Sequence, residues 1–594
     1  MGKILVLGNE QTREWSKKIN NSHFIQMPVF SLGEDGERKL CEFVINNIAS
    51  DNKAIVIDID EISNPELCLA FAMVIRLSIH DIKSAALSPI LFVSRATQDI
   101  LIGYKYSPII LTGSIAFDLP ENANDALEVM EPLSPFEYRP TFLDVVKIIP
   151  NATEGRHSLA NQWGADVLCR IVVGDETNNE LIKKARFSLY FRYIRALSLR
   201  TNDIENLIQK KDTSPAPIRL KQIDATGKNI LLIDDEADKG WDDVLRKMLP
   251  NSEFKTIQEQ VPDYESLSDG AKRTIESGKY DLILLDLRMN GVAEEDTLKP
   301  DEFSGMKILK VIKEQNKGNQ VIMFTASNKA WNMKALLDAG ADGYYIKESP
   351  EFTFPTSYSE SNAHELCTSI SQCLENGYLR DVYSKIRQIK QLINSSNCYG
   401  ERTAEVLGSI DIAYDLLSKS SKLKEYRGYA YLQLFLAIEE YSKNPQLFDL
   451  KDFGLYLYNG KIRYRLFKDK EKNGKDFFYP SVLKMKNGHY VLEQDRYKNR
   501  FLETNFLISA LLIFKFGNAN SSAYHWTNIY TLRNDLAHSK MEKSVSYNDF
   551  NQILDFMLIF FDDTKAKWRD VSDAFCDIDP KEQLALLQAK FNKR

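Results

Sequence analysis

The sequence predicts a multidomain protein that joins α/β units built on parallel sheets to an all-α region. Three observations carry that expectation. Two separate blocks of chain alternate short, continuously apolar strands with helical pattern, the 594-residue length exceeds what one core supports, and the last third is helical apart from one basic, aromatic insert.

The first block, residues 1–130, carries the runs KILVLG, KAIVIDID (53–60), SPILFVS (88–94) and SPIILTG (107–113). Continuous apolar strands with helices between them fit a parallel sheet covered on both faces. Residues 131–215 are expected to form a helical connector, closing on the charged ARFSLYFRYIRALSLR and a linker that contains Pro215 and Pro217. A second alternating block, 228–350, has strands KNILLID, YDLILLD, QVIMFTA and GYYIK, and reads as a diverged copy of the first. The Ser-rich FTFPTSYSESN is expected to be a linker, and 379–594 a helical domain interrupted by an insert at 451–500.

With 44% apolar and 27% charged residues and a net charge of -7, the composition is that of a globular protein, not of a disordered chain or a basic nucleic-acid coat. Any nucleic-acid contact must be local. The seven cysteines are scattered without CxxC spacing, which argues against a disulfide framework or a zinc site and fits a reducing cytoplasm. No signal-peptide core precedes KILVLG, and the oiliest run, Phe506 to Phe516, is broken by Lys515 and too short to span a bilayer, so a cytoplasmic chain without membrane contact is expected.

In parallel α/β sheets chemistry collects beyond the carboxyl ends of the strands. In the second block Asp234 and Asp235 follow NILLI, Asp286 follows LILL, Thr325 follows VIMF and Lys347 follows GYYI. Clustered carboxylates repel one another, and a hard cation such as Mg2+ is a natural way to hold them. A lysine and a metal together would also poise one aspartate as nucleophile toward a phosphoryl group.

Residues 228–349 thereby resemble the CheY-like receiver domain of bacterial response regulators, a flavodoxin-like fold. The resemblance implies Asp286 as phosphoacceptor, Mg2+ held by Asp235, Asp286 and the backbone carbonyl of Arg288, with Asp234 shaping the metal site. It implies Thr325 and Lys347 as contacts of the phosphoryl group and Tyr344 as the aromatic switch position. A histidine kinase or histidine phosphotransfer protein is the partner it implies. The stretch LRMNGVAEEDTLKPDEFS is longer and more acidic than the family's usual loop, and reads either as a solvated surface or as a partner-selecting one.

The first block lacks that set. Its KAIVIDID strand ends in Asp58 and Asp60, but Gly8, Asn9 and Glu10 follow the first strand and no lysine follows SPIILTG, so a degenerate receiver-like unit for docking or dimerisation is expected. In the connector, GRHSLANQWG sets His157 ahead of Asn161, loosely like a kinase histidine box; a structural histidine near Trp163 is the favoured reading.

On a helix, YTLRNDLAH puts Ile529, Leu532 and Leu536 on one stripe, with Asn534 and His538 together on the far side and Arg533 on the flank. An imidazole that moves protons near neutral pH, an arginine that grips phosphate and an orienting amide suit cleavage of RNA by its own 2'-hydroxyl, without metal. This R-x4-H motif in a helical setting resembles the HEPN superfamily. The resemblance covers about 379–567 and implies a paired, homodimeric arrangement with Arg533, Asn534 and His538 as catalytic residues; other HEPN members are non-catalytic binders. The insert adds 13 Lys or Arg against 6 Asp or Glu, many aromatics, and two Asn-Gly pairs, Asn459-Gly460 and Asn487-Gly488, that signal β-hairpins. Such ribbons can hold a phosphate backbone and stack bases, or the rings can be hairpin core. Taken together, the residues lead us to expect a response regulator whose phosphorylation at Asp286 controls a HEPN-like ribonuclease in stress or antiphage defence, or a non-enzymatic adaptor that binds a protein or nucleotide partner.

Overall fold

The computed structural model describes residues 3–566 apart from several stretches, the longest internal ones being 210–221, 290–298 and 495–503; within 448–494 it describes the strand backbone only. Two compact units are present, one of residues 1–311 and 321–374, the other of 312–320 and 375–594.

The first unit holds two five-stranded sheets. One consists of β1 (Lys3–Gly8), β2 (Ser22–Gln26), β3 (Asn52–Asp58), β4 (Ile90–Val93) and β5 (Ile115–Asp118), in the order β2-β1-β3-β4-β5. The other consists of β6 (Asn229–Ile233), β7 (Glu253–Ile257), β8 (Leu282–Asp286), β9 (Val321–Thr325) and β10 (Gly343–Ile346), in the same relative order, β7-β6-β8-β9-β10. All pairings in both sheets are parallel. Strands β4, β8 and β9 are buried along their whole length, and β3 at every position but Lys53, because helices cover both faces, which is why these strands read as largely apolar runs.

Three expectations about elements need correction. SPIILTG is a 3-10 helix, Ser107–Leu111, and the edge strand is the following IAFD; Pro108 sits early in that turn, and a short apolar run alone does not distinguish helix from strand. The edge strands SHFIQ and EFKTI lie outside the apolar runs, since half-exposed positions interrupt their pattern. FTFPTSYSESN is largely not a linker: a helix, Thr356–Asn376, starts within it and buries Ala363, Leu366, Ile370 and Cys373 against the second sheet's core.

One connector helix, Arg156–Val172, has two apolar faces. Leu159 and Trp163 join the core of the first sheet, whereas Ala165, Leu168, Cys169 and Val172 join the core of the second. Each buried aliphatic side chain contributes about 1.5–3 kcal/mol, so this junction helix is held from both sides. Buried Asp166 on the same helix pairs with Arg170 at 2.9 Å and Arg186 at 2.7 Å.

The second unit is a helical core formed by Leu379–Ser395, Thr403–Ser418, Glu425–Ser442, Thr504–Phe514, Asn520–Ala537 and Tyr547–Phe560. Trp526 is buried at its centre, stacked between Phe435 and Phe556. Between the third and fourth of these helices lie short antiparallel pairings, in which Tyr458 partners Arg463 and Lys486 partners His489. The Asn-Gly pairs and the insert's side chains lie outside the described residues, as do Pro215, Pro217 and the acidic Glu294, Glu295 and Asp296. No helix among the described residues is long and apolar enough to cross a membrane.

Candidate functional site

The strand order reverses between β6 and β8, and a crevice at such a switch point is where α/β sheets place their sites. Register does the rest. Ile233 pairs with Leu285, so Asp234 and Asp286 leave adjacent strands at the same level. Ile346 pairs with Thr325, which brings Lys347 to the same rim. The Lys347 N–H donates to the Thr325 carbonyl at 2.7 Å, and Thr325 is itself buried.

The Lys347 ammonium lies 2.9 Å from Asp234 Oδ2 and 2.5 Å from Asp286 Oδ1, with all three side chains buried. Burial would draw the lysine pKa down, but Asp234 and Asp286 outweigh it and raise it, so the side chain stays an ammonium. The other Asp286 oxygen accepts from the Arg288 N–H at 2.9 Å, and Asp234 Oδ1 from the Glu236 N–H at 2.9 Å. Arg288 lays its guanidinium over Phe303, 4.7 Å from the ring centroid. Tyr344 is half-buried on β10.

Asp235 is the group left over. Its Oδ1 is buried without a hydrogen-bond partner, and its carboxyl is pushed up to about 8, first by burial and then by Asp286 and Asp234. A cation fits that environment: it would complete the orphaned oxygen and relieve repulsion among three carboxylates that one lysine only partly neutralises.

Asn161, which the sequence sets only behind His157, closes the other side together with Trp241 and Glu236. Asn161, on the junction helix, accepts at Oδ1 from Lys347 Nζ at 2.9 Å and from the Trp241 indole N–H at 2.9 Å. Its Nδ2 donates to Glu236 Oε2 at 2.8 Å. Lys347 Nζ also sits 5.0 Å from the Trp241 ring centroid. Asn161 precedes Lys347 by 186 residues, so no local pattern could have joined them. His157 is on the same helix, but its side chain lies outside the described residues.

The first sheet has the corresponding place differently filled. Leu7 pairs with Ile57 and Asp58 with Val93, so Asp58 stands where Asp286 stands, and Gly8 and Asn9 where Asp234 and Asp235 stand. The β4–β5 register carries the lysine's position to Pro120. Asp58 Oδ2 accepts from Thr12 Oγ1 at 2.8 Å and from the Trp15 indole N–H at 3.1 Å, and Asn9 caps the helix Glu10–Ser16. Asp58 thus faces a hydroxyl and an indole, where Asp286 faces an ammonium.

In the helical unit, Ile529 and Leu536 are buried and Leu532 packs beside them. Arg533 lays its guanidinium over Phe435 at 5.1 Å and donates to Asn534 Oδ1 at 3.0 Å, both side chains half-buried. His538 follows the helix end, exposed, its N–H donating to the Asn534 carbonyl at 3.1 Å. The structure brings Arg533 and Asn534 together directly.

Residues 230–353 match the response regulator receiver domain family, and residues 7–117 the inactive receiver domain family. The nitrate/nitrite response regulator protein NarP of Escherichia coli (strain K12) is 31% identical over 128 residues, which is 21% of this chain and 51% of NarP. The chain thus spans about half the length of that relative. A CheY-like response regulator receiver domain protein from Methanospirillum hungatei JF-1 is 19% identical, with 26% of this chain and 97% of that one covered, at a TM-score of 0.18. NtrX from Brucella abortus is 17% identical, with 33% and 41% covered, at 0.19. Family matches and rim geometry agree: this chain carries a response regulator receiver domain, preceded by an inactive receiver domain.

Proposed function

We propose that the protein is a two-component switch in which a histidine kinase or histidine phosphotransfer protein phosphorylates Asp286. The observation that carries this reading is the buried Lys347 bridging Asp234 and Asp286 beside the unpartnered Asp235 oxygen. Mg2+ would be held by Asp235, Asp286 and the Arg288 carbonyl, with Asp234 shaping the site, and when bound supplies charge neutralisation for the transferring oxygens. Lys347 and Thr325 contact the phosphoryl group, and Tyr344 reports its presence. Labelled acetyl phosphate with Mg2+ tests this: wild type takes up label and Asp286→Asn does not, while an unlabelled wild type would sink the reading.

The output is the helical unit, read as a HEPN-like effector that cleaves RNA without metal. The Arg533–Asn534 pair beside exposed His538 supports it: Arg533 binds phosphate, Asn534 positions, and His538 moves the proton. Two copies meeting at this motif, and the basic insert holding RNA, belong to the same reading, as does a role in stress or antiphage defence. The alternative is an adaptor whose helical unit binds a protein or nucleotide. Labelled RNA in EDTA, with and without prior phosphorylation of the protein, separates them. Cleavage abolished by His538→Ala favours the nuclease; intact RNA in every state favours the adaptor.

A further inference from the structure

The receiver match begins at residue 230, yet one of the three acceptors around the Lys347 ammonium comes from residue 161. An ammonium has three N–H donors. Here Asp234, Asp286 and Asn161 lie around it at 2.9, 2.5 and 2.9 Å, one partner for each. Remove the third and the amine regains freedom to turn within a site where transfer depends on its direction toward Asp286.

Asn161 is built to give that direction. It is buried, and its amide is fixed at both ends by Trp241 and Glu236. The helix that bears it cannot drift easily: a Cβ at Gly164 would lie 2.9 Å from the Glu348 carbonyl oxygen and 3.0 Å from the Trp241 ring, a close approach that only glycine allows. Its neutrality also matters. Asp234, Asp235, Asp286 and Glu236 already crowd this rim, and a fifth carboxylate would compete with Asp286 for the lysine, whereas an amide oxygen orients the ammonium without discharging it. Asn161 therefore supplies geometry and leaves the charge balance to the receiver's own residues.

We propose that Asn161 is a positioning residue for phosphoryl transfer, acting through Lys347, so that the phosphorylation site is complete only with the junction helix in place. This rests on the reading of Asp286 as phosphoacceptor. In the step concerned, an Asp286 carboxylate oxygen forms a bond to the phosphorus of acetyl phosphate as the bond from phosphorus to the acetate oxygen breaks, and acetate leaves.

The test uses the full chain, acetyl phosphate and Mg2+, and a double-mutant cycle. Asn161→Ala is expected to slow labelling of Asp286 about tenfold at saturating acetyl phosphate, the scale of one charge-assisted hydrogen bond. In a Lys347→Met background the same change is expected to slow the residual rate less than twofold, because there is no ammonium left to orient. An unchanged rate, or the same factor in both backgrounds as a merely structural role would give, overturns the proposal. If alanine loosens the fold, seen in near-ultraviolet circular dichroism, Asn161→Ser, whose hydroxyl is too short to reach Nζ, decides by the same two outcomes. A wild type that takes up no phosphate fails the receiver reading itself, which this cycle distinguishes from a failure of Asn161 alone.

Discussion

Thr12 Oγ1 donates to Asp58 Oδ2 at 2.8 Å, at the level of the first sheet where Asp286 faces Lys347 in the second. One fold thus holds its aspartate under a hydroxyl and an indole, and the other under an ammonium.

That contrast predicts where phosphate goes. All label from acetyl phosphate is expected on Asp286, and peptide mapping of Asp286→Asn should find none on Asp58, even after long incubation. Thr12→Val keeps the shape but leaves the buried Asp58 oxygen short of a donor, so it should cost about 1–3 kcal/mol in denaturant unfolding. Label on Asp58 in either protein would mean that the first sheet's aspartate is accessible after all.

Asp235 ties the proposed Mg2+ site to stability. Because burial and then Asp286 and Asp234 disfavour its charged form and push its carboxyl up to about 8, Asp235→Asn should raise the metal-free melting temperature at pH 8, with a gain of about 1–3 kcal/mol. Mg2+ should raise the melting temperature of wild type and not of Asp235→Asn, since only a ligand bound to the native state shifts it. An equal Mg2+ shift in both proteins would place the cation elsewhere.

Gly305 abuts the backbone of Asp286, the proposed phosphoacceptor. A Cβ there would lie 2.1 Å from the Asp286 carbonyl oxygen and 2.8 Å from Leu287 Cα, while the Gly305 N–H donates to the Leu287 carbonyl at 3.0 Å. Neither backbone atom can swing away as a side chain can. Gly305→Ala should cost at least about 2 kcal/mol and slow phosphorylation of Asp286 by more than tenfold. Wild-type labelling by the alanine protein would show that the strand end tolerates the shift.

Glu348 makes stability depend on pH. Burial pushes its carboxyl up to about 7, although the Ser359 hydroxyl donated to Oε2 at 2.9 Å opposes that, and Oε1 is buried with no partner. A carboxyl whose folded pKa is raised binds more protons folded than unfolded, so its contribution is retained below its ordinary value near 4.5 and lost as pH climbs to about 7. Glu348→Gln should therefore match wild type at pH 4.5 and exceed it by about 1–3 kcal/mol at pH 8. Parallel melting curves across that range would contradict the assignment.

Arg533 separates charge from geometry. Lysine keeps the charge but loses the flat group stacked on Phe435 and bonded to Asn534. If the helical unit cleaves RNA, Arg533→Lys should lose at least about tenfold in cleavage while changing stability by less than about 1 kcal/mol, because the side chain is half-exposed. Retained cleavage would remove the planar group from the mechanism.

Much of this was readable in the chain itself. Inner strands such as LILLD and VIMFT announce themselves because both faces are buried and every position must be apolar. The positions of Asp234, Asp235, Asp286, Thr325 and Lys347 are legible for a related reason: each ends such a strand or lies within two residues of its end, and parallel register carries strand ends to one rim. Edge strands were harder, since SHFIQ and EFKTI are half-exposed and their pattern is correspondingly broken. Sequence also set Ile529 and Leu536 on the buried stripe of their helix, because a 3.6-residue period is a local property.

What only the tertiary structure decided is what happens between distant segments. The junction helix has one face in each of two cores, so no single apolar stripe marks its role. The sequence sets Asn161 only behind His157, and packing places it beside Trp241 and Lys347; Thr12 meets Asp58 from 46 residues away. Strand register is written in local hydrophobic pattern, whereas the partner of a buried polar side chain is chosen by whichever segment the folded core brings within hydrogen-bond reach.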